Sequence, residues 1–158
     1  MNQEDMRPVS FSKTVMTELM IPTYANIGGK VHEGTILSLM DKIAYVCSSK
    51  HAGAYCVTVS ADTVDFIAPV EVGQLVSLYA SVNYVGSSSL IIGIKAVAEN
   101  FKDHSVSHTN TSYFTMVAVD ENMKVTKIPG LILETNDDIR RFTKEKYEEN
   151  SMLKNTMN

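Results

Sequence analysis

The clearest pattern in the chain is a period of two. Val76, Leu78, Ala80, Val82 and Tyr84 alternate with Ser77, Tyr79, Ser81 and Asn83, which predicts a half-buried strand. A turn at "VGSSS" leads into Leu90, Ile92, Ile94, Ala96 and Ala98 on one face. A second turn at "KDHS" leads into Tyr113, Thr115, Val117 and Val119. Upstream, "AYCVTVSADTVDF" alternates through Val57 and Val59 and changes phase at Val64 and Phe66, as a strand with a bulge would. Connections this short, "APVEVGQ" among them, predict an antiparallel meander. Rough alternation from Val9 to Leu19 predicts one more strand.

Between these stretches the period changes. Ile36, Leu37, Leu39, Met40, Ile43 and Ala44 follow a loop holding Gly28 and Gly29. They predict a helix from Glu33 or Gly34 to about Ser49, ended by His51-Ala52-Gly53. Its apolar positions lie all round the cylinder, so burial on most sides is expected. Only the sheet is large enough to wrap it, which predicts an α+β fold. After Pro129-Gly130 the chain turns charged, and Thr135 to Lys154 predicts a C-terminal helix capped by Thr135 or Asn136.

Composition narrows the class. A length of 158 residues fits one domain, and a net charge of −4 gives no support for nucleic-acid binding. No run approaches the roughly 18 apolar residues of a membrane span. The start "MNQEDMRPVS" is polar and acidic, unlike a signal peptide, and a cytoplasmic location is expected. Cys47 and Cys56 are expected to be free thiols in or near the core.

Several familiar chemistries are excluded by residue type. "GGKVHEGT" has Thr35 where a phosphate loop needs lysine, and "HEGTI" lacks the second histidine of a zinc protease. His104 and His108 are four apart at a turn and a strand start; along a strand that is roughly 13 Å, too far to share a metal. No serine occupies a tight glycine elbow. The remaining constellation is Asn26, the Gly28-Gly29 loop, His32, Glu33, Gly34 and Asp41. A helix starting at Gly34 offers unpaired N–H groups that suit an oxyanion. Asp41 lies about 10 Å further along the same helix, so it would have to work with the start of a second copy. The residues alone leave two readings open: a catalytic acid, or a structural one paired with a neighbour. His32 reads as a partner that orders the loop rather than as a base.

"PTYANIGGKVHEGTILSLMDKIA" resembles the active-site segment of the hotdog-fold acyl-CoA thioesterases, in the branch of cytosolic acyl-CoA hydrolases. The resemblance continues through "VTVSADTVDFIAPVEVGQLVSLYASVNYVGSSSLIIGIKAVAEN" and "TSYFTMVAVD", roughly residues 9 to 130. It implies a hotdog domain over 1–130, an antiparallel sheet wrapped around a central helix, with a helical tail over 131–158. It also implies hydrolysis of fatty acyl-CoA to acid and CoA in lipid metabolism, with no cofactor because CoA is part of the substrate. Asn26 and Asp41 would form a catalytic pair across a homodimer interface, with Gly34 donating its N–H to the thioester carbonyl. Gly86, Ser87 and Ser88 would lie near CoA, and His32 beside the substrate. The dimers would assemble further, as a trimer of dimers, into a hexamer. Where the family has His-Gly-Gly this chain has His32-Glu33-Gly34, which keeps a non-catalytic acyl-CoA-binding module, a sensor or scaffold, as the alternative. Arg140, Arg141, Lys144 and Lys146 are the densest basic group; they read either as a solvated helix face or as a site for the CoA phosphates.

Overall fold

The computed structural model describes residues 5–157. The start of the chain that was read against a leader lies partly outside them. Strand β1 (Met6–Pro8) pairs in parallel with β7 (Gly130–Ile132), and α1 (Val9–Ser12) follows β1 directly. Strands β2 (Thr14–Leu19), β3 (Tyr55–Phe66), β4 (Leu75–Val85), β5 (Ser89–Glu99) and β6 (Val106–Val119) form one antiparallel sheet in the order β2-β4-β5-β6-β3. Helix α2 (Glu33–Ala52) crosses one face and α3 (Asn136–Thr156) packs on β4.

Two expectations about the strands are corrected. The segment from Val9 to Leu19 is a single helical turn followed by a strand. Val9 and Ser12, three apart, are both buried, a helical spacing that a loose alternation conceals. The meander holds only for β4-β5-β6. Strand β3 pairs with β6 on the far edge, not with β4. Residues 67–74 have a reach of roughly 26 Å, ample for about 14 Å across three strand spacings. The bulge expected in β3 is present: its register with β6 shifts between Thr58 and Ser60 and again between Asp62 and Asp65.

Helix α2 is positioned at both ends. His32 is its N-cap, and Gly53 at φ 64° closes its C-terminus, a backbone conformation glycine adopts without strain. The Arg7 side chain donates to the carbonyls of Lys50 (3.1 Å) and His51 (2.8 Å), neutralising the negative end of the helix dipole. Ile36, Leu39, Met40, Ile43, Ala44 and Cys47 are buried against the sheet. That stripe recurs at three and four residues, so the expected burial on most sides is also corrected: Ser38, Asp41, Lys42 and Tyr45 are exposed in the single chain. Cys47 and Cys56 are buried and unpaired with one another, and burial pushes the Cys47 thiol up to about 12.

Helix α3 begins with a capping box between Thr135 and Asp138. Phe142 packs on Tyr84 at 4.9 Å between ring centres, and the Tyr84 hydroxyl donates to Glu149 at 2.6 Å. That bond raises the Tyr84 hydroxyl to about 12.

Candidate active site

Asp41 stands on the uncovered side of α2 and faces β3. The Thr58 hydroxyl donates to its Oδ1 at 2.8 Å and also lies 3.4 Å from the sulfur of Met116 in the core. Asp41 is exposed in the single chain. It borders an open cleft of about 430 Å³ lined by Asp41, Lys42, Tyr45, Tyr55, Val57 and Thr58. Tyr45 and Tyr55 meet edge to face at 5.6 Å beside it.

Asn26 sits in a tight hairpin loop. Its N–H donates to the Lys30 carbonyl (2.6 Å), its side-chain Oδ1 accepts from the Lys30 N–H (3.1 Å), and its carbonyl accepts from Gly29 N–H (3.0 Å). Gly29 takes φ 80° at the turn, where a side chain would be strained. These bonds leave the Asn26 amide N–H2 group without a partner among the described residues, free to donate. Ile27 at the loop tip is fully exposed. The loop is braced at its base by an ion pair between Lys30 and Glu71 and by the His32 N–H, which donates to Tyr24 O at 2.7 Å. No hydrogen bond joins Asn26 to Asp41 in one chain.

At the start of α2 the His32 Nδ1 accepts the Gly34 N–H at 3.0 Å. The donor expected for a thioester carbonyl is thus engaged by the helix's own N-cap. Glu33 is half-buried, with Oε2 shielded from solvent and unpartnered. Gly86, Ser87 and Ser88 form the β4–β5 turn. Gly86 N–H donates to Ser89 O (2.8 Å), while Ser87 O and Ser88 O accept from Ile128 (3.1 Å) and Ala118 (3.0 Å). Arg140 and Arg141 lie elsewhere. They border a cavity with Tyr79, Ser81, Lys95 and Tyr113, strand positions that alternate with the buried core residues Leu78, Ala80, Ile94 and Phe114. That is the sheet face turned away from α2, so within one chain the sheet separates this cluster from Asp41. His108, read as too far from His104 for a shared metal, bonds through Nε2 to Asn110 O and Thr111 Oγ1.

Thr58 was missed in the sequence. Its only signal was its position on the strand stretch that flanks the bulge, and nothing in that stretch says which helix residue it meets.

A five-stranded antiparallel sheet curled around one long helix, with an acid on the helix and a glycine-rich loop before it, is the hotdog architecture. Residues 28–102 match the thioesterase superfamily model. Protein VdlD of Helicobacter pylori is 45% identical over 131 residues, covering 83% of this chain and 75% of VdlD. The uncharacterized acyl-CoA thioester hydrolase YkhA of Bacillus subtilis is 32% identical over 128 residues, covering 81% and 74%. A hexameric acyl-CoA thioesterase superposes with a TM-score of 0.90 at 30% identity, covering 96% of this chain and 97% of that one. The Staphylococcus aureus acyl-CoA hydrolase, solved with butyryl-CoA and CoA, superposes at 0.82 with 27% identity, covering 96% of both. This chain belongs to the hotdog-fold acyl-CoA thioesterases, a family of thioester hydrolases.

Structures of the Staphylococcus aureus enzyme include alanine variants of an asparagine, an aspartate and a threonine. In that chain the asparagine and aspartate are 15 positions apart and the aspartate and threonine 17, the same spacings as Asn26 to Asp41 and Asp41 to Thr58 here.

Proposed function

We propose that this enzyme hydrolyses fatty acyl-CoA at a site shared between two copies of the chain, Asp41 and Thr58 coming from one and Asn26 from the other. The observation that carries this reading is the Asp41–Thr58 pair, hydrogen-bonded yet exposed, on an edge strand whose outer side pairs with no strand among the described residues. Strand β3 is twelve residues long and closes one side of the sheet. Tyr55 and Val59 are exposed on it, and Ile27 is exposed at the tip of the loop before α2. A long apolar edge of this kind is a template for pairing with another strand, and an exposed isoleucine tip needs a surface to bury it. A two-fold partner supplies both. The hexameric state of the superposed thioesterase supports further assembly of such dimers.

In the proposed chemistry Thr58 holds Oδ1 of Asp41 and leaves Oδ2 to take a proton from water. The oxygen of that water attacks the thioester carbonyl, and the carbon–sulfur bond breaks. The CoA thiolate leaves and takes up the proton, giving acid and CoA. The free amide N–H2 of Asn26 donates to the acyl carbonyl or orients the water, and positive charge at the start of α2 stabilises the oxyanion. For Gly34 to donate directly, the His32 ring must rotate away. That engaged donor is what favours the second reading, a binding module without turnover.

Thiol release measured across acyl-CoA chain lengths separates the two readings. Turnover is expected from the intact chain and not from Asp41→Ala. Mixing Asn26→Ala with Asp41→Ala under subunit exchange is expected to restore part of the activity. Binding without turnover would establish the module instead, and exchange without recovery would place both residues in one protomer's site.

A further inference from the structure

The layer between α2 and the sheet is apolar along most of its length and polar at one end. On the inner face of β6, Phe114, Met116 and Ala118 are buried, and the same alternation continues back to Ser112 and Asn110. Ser112 is 0% exposed and Asn110 is 1% exposed. The Ser112 hydroxyl and both polar atoms of the Asn110 amide have no hydrogen-bond partner among the described residues. Burying such groups unpaired is costly. The neighbouring buried hydroxyl of Thr109 is satisfied, donating to Ala96 O at 3.3 Å. Three open polar atoms thus occupy consecutive inner positions of one strand.

This end of β6 lies toward the start of α2. Thr109 O accepts the N–H groups of Ile67 (2.7 Å) and Ala68 (3.3 Å), and Val70 O accepts that of Val31 (2.9 Å), just before α2. Further along the helix Asp41 meets Thr58, whose β6 partner is Met116. The helix therefore enters over the Asn110 end of β6 and runs on toward Met116. Glu33, its first residue, lies three and seven positions before the buried Ile36 and Met40, on the face turned to the sheet. Its Oε2 is shielded from solvent and unpartnered among the described residues. Phe66 is the β3 partner of Asn110, on the same face of the sheet, and it is 51% exposed. The polar end thus borders the same uncovered edge on which Thr58 stands.

We propose that Glu33, Asn110 and Ser112 select an acyl-CoA whose acyl group carries a hydroxyl close to the thioester, on its third carbon. This rests on the reading that the start of α2 holds the thioester carbonyl, since Glu33 adjoins Gly34 in the chain. A hydroxyl both donates and accepts. It can give its proton to the Glu33 carboxylate or to Oδ1 of Asn110, and accept from the Asn110 amide or the Ser112 hydroxyl. A plain methylene chain would leave all of these groups unpaired, and a site built to bond a hydroxyl rejects the analogue that lacks it. An acyl group ending in a second carboxylate would meet Glu33 and be repelled. The apolar layer beyond takes the rest of the chain.

Calorimetric titration of the Asp41→Asn protein, expected to bind without turnover, tests the selection. The ligands are butyryl-CoA, 3-hydroxybutyryl-CoA, succinyl-CoA, octanoyl-CoA and 3-hydroxyoctanoyl-CoA. Each hydroxylated ligand is expected to bind about tenfold or more tightly than its plain partner of equal length, with succinyl-CoA the weakest of the four-carbon set. Asn110→Leu and Ser112→Ala should each shrink that preference by weakening the hydroxylated ligand alone. Both should also raise the urea midpoint, because each removes unpaired buried groups. Glu33→Gln should strengthen succinyl-CoA. Thiol release from the parent protein should show the same preference in kcat/KM. Turnover without preference would remove this proposal and leave the catalytic reading; preference in binding without turnover would do the reverse. Equal affinity within each pair, a preference that survives Asn110→Leu combined with Ser112→Ala, or succinyl-CoA binding as tightly as 3-hydroxybutyryl-CoA would each overturn the proposal.

Discussion

Thr58 on the edge strand donates its hydroxyl to Asp41 on the central helix at 2.8 Å. The bond joins two elements that share one uncovered surface. It fixes the carboxylate's rotation and leaves one oxygen open. Thr58→Val removes the donor at similar volume, and turnover is expected to fall about tenfold with KM little changed. Thr58→Ser should recover most of the loss. Asp41→Asn keeps the shape but removes the base, and should lower turnover by about 10² or more. Steady-state thiol release distinguishes these outcomes from a folding defect if circular dichroism is unchanged.

Val59 is 62% exposed on β3. Val59→Asp places charge on the edge proposed to pair with a second copy, where burying an unpaired carboxylate is costly. Sedimentation velocity should then show a smaller species, and thiol release should fall with it. An unchanged sedimentation coefficient would remove β3 from the interface.

His51 is fully buried at the end of α2, with Nε2 2.9 Å from Pro129 O. Burial lowers its pKa below the ordinary value, the bond to Pro129 opposes that, and Arg7 adds to it. As pH falls through about 6.5, the unfolded chain takes up the proton before the folded chain does. This contribution to stability is therefore complete above that pH and declines below it, by at most about 1.4 kcal/mol per pH unit. Urea midpoints measured from pH 7.5 downward should show the decline, and His51→Gln should flatten it.

At the start of α3, burial pushes Asp138 up. The N–H groups of Glu134 (3.0 Å) and Thr135 (3.1 Å), together with the Thr135 hydroxyl, nonetheless hold it below the usual carboxylate value. The resulting stabilisation is present above the unfolded carboxylate pKa and is lost as pH falls through the folded one. Asp138→Ala should cost about 1 kcal/mol at neutral pH, in the range of a lost helix cap. Chemical denaturation at neutral and acidic pH should show the difference between variant and parent shrinking in acid.

Much of the local structure was legible in the residues. The alternation from Val76 to Val119 marked three strands, the phase change near Val64 marked the bulge, and Thr135 marked the start of α3. The turn at Val9–Ser12 was not, because four residues hold too few repeats to separate a helical period from a strand period. The openness of one side of α2 was also hidden. Leu37, Tyr45 and Val46 are apolar or aromatic, and composition does not separate a surface kept for a second copy from one packed inside a single chain.

By itself the sequence determined what depends on near neighbours: periodicity, caps, turns, and an asparagine loop followed by an acid on the next helix. Tertiary structure decided which distant segments meet. It sent β3 to the far edge of the sheet, set Thr58 against Asp41, and placed Arg140 and Arg141 behind the sheet with Lys13 and Lys95. The physical reason is that alternation fixes only the face of a strand to which a side chain points. Which strand pairs with which, and what faces it across the core, follows from closing the whole apolar surface at once.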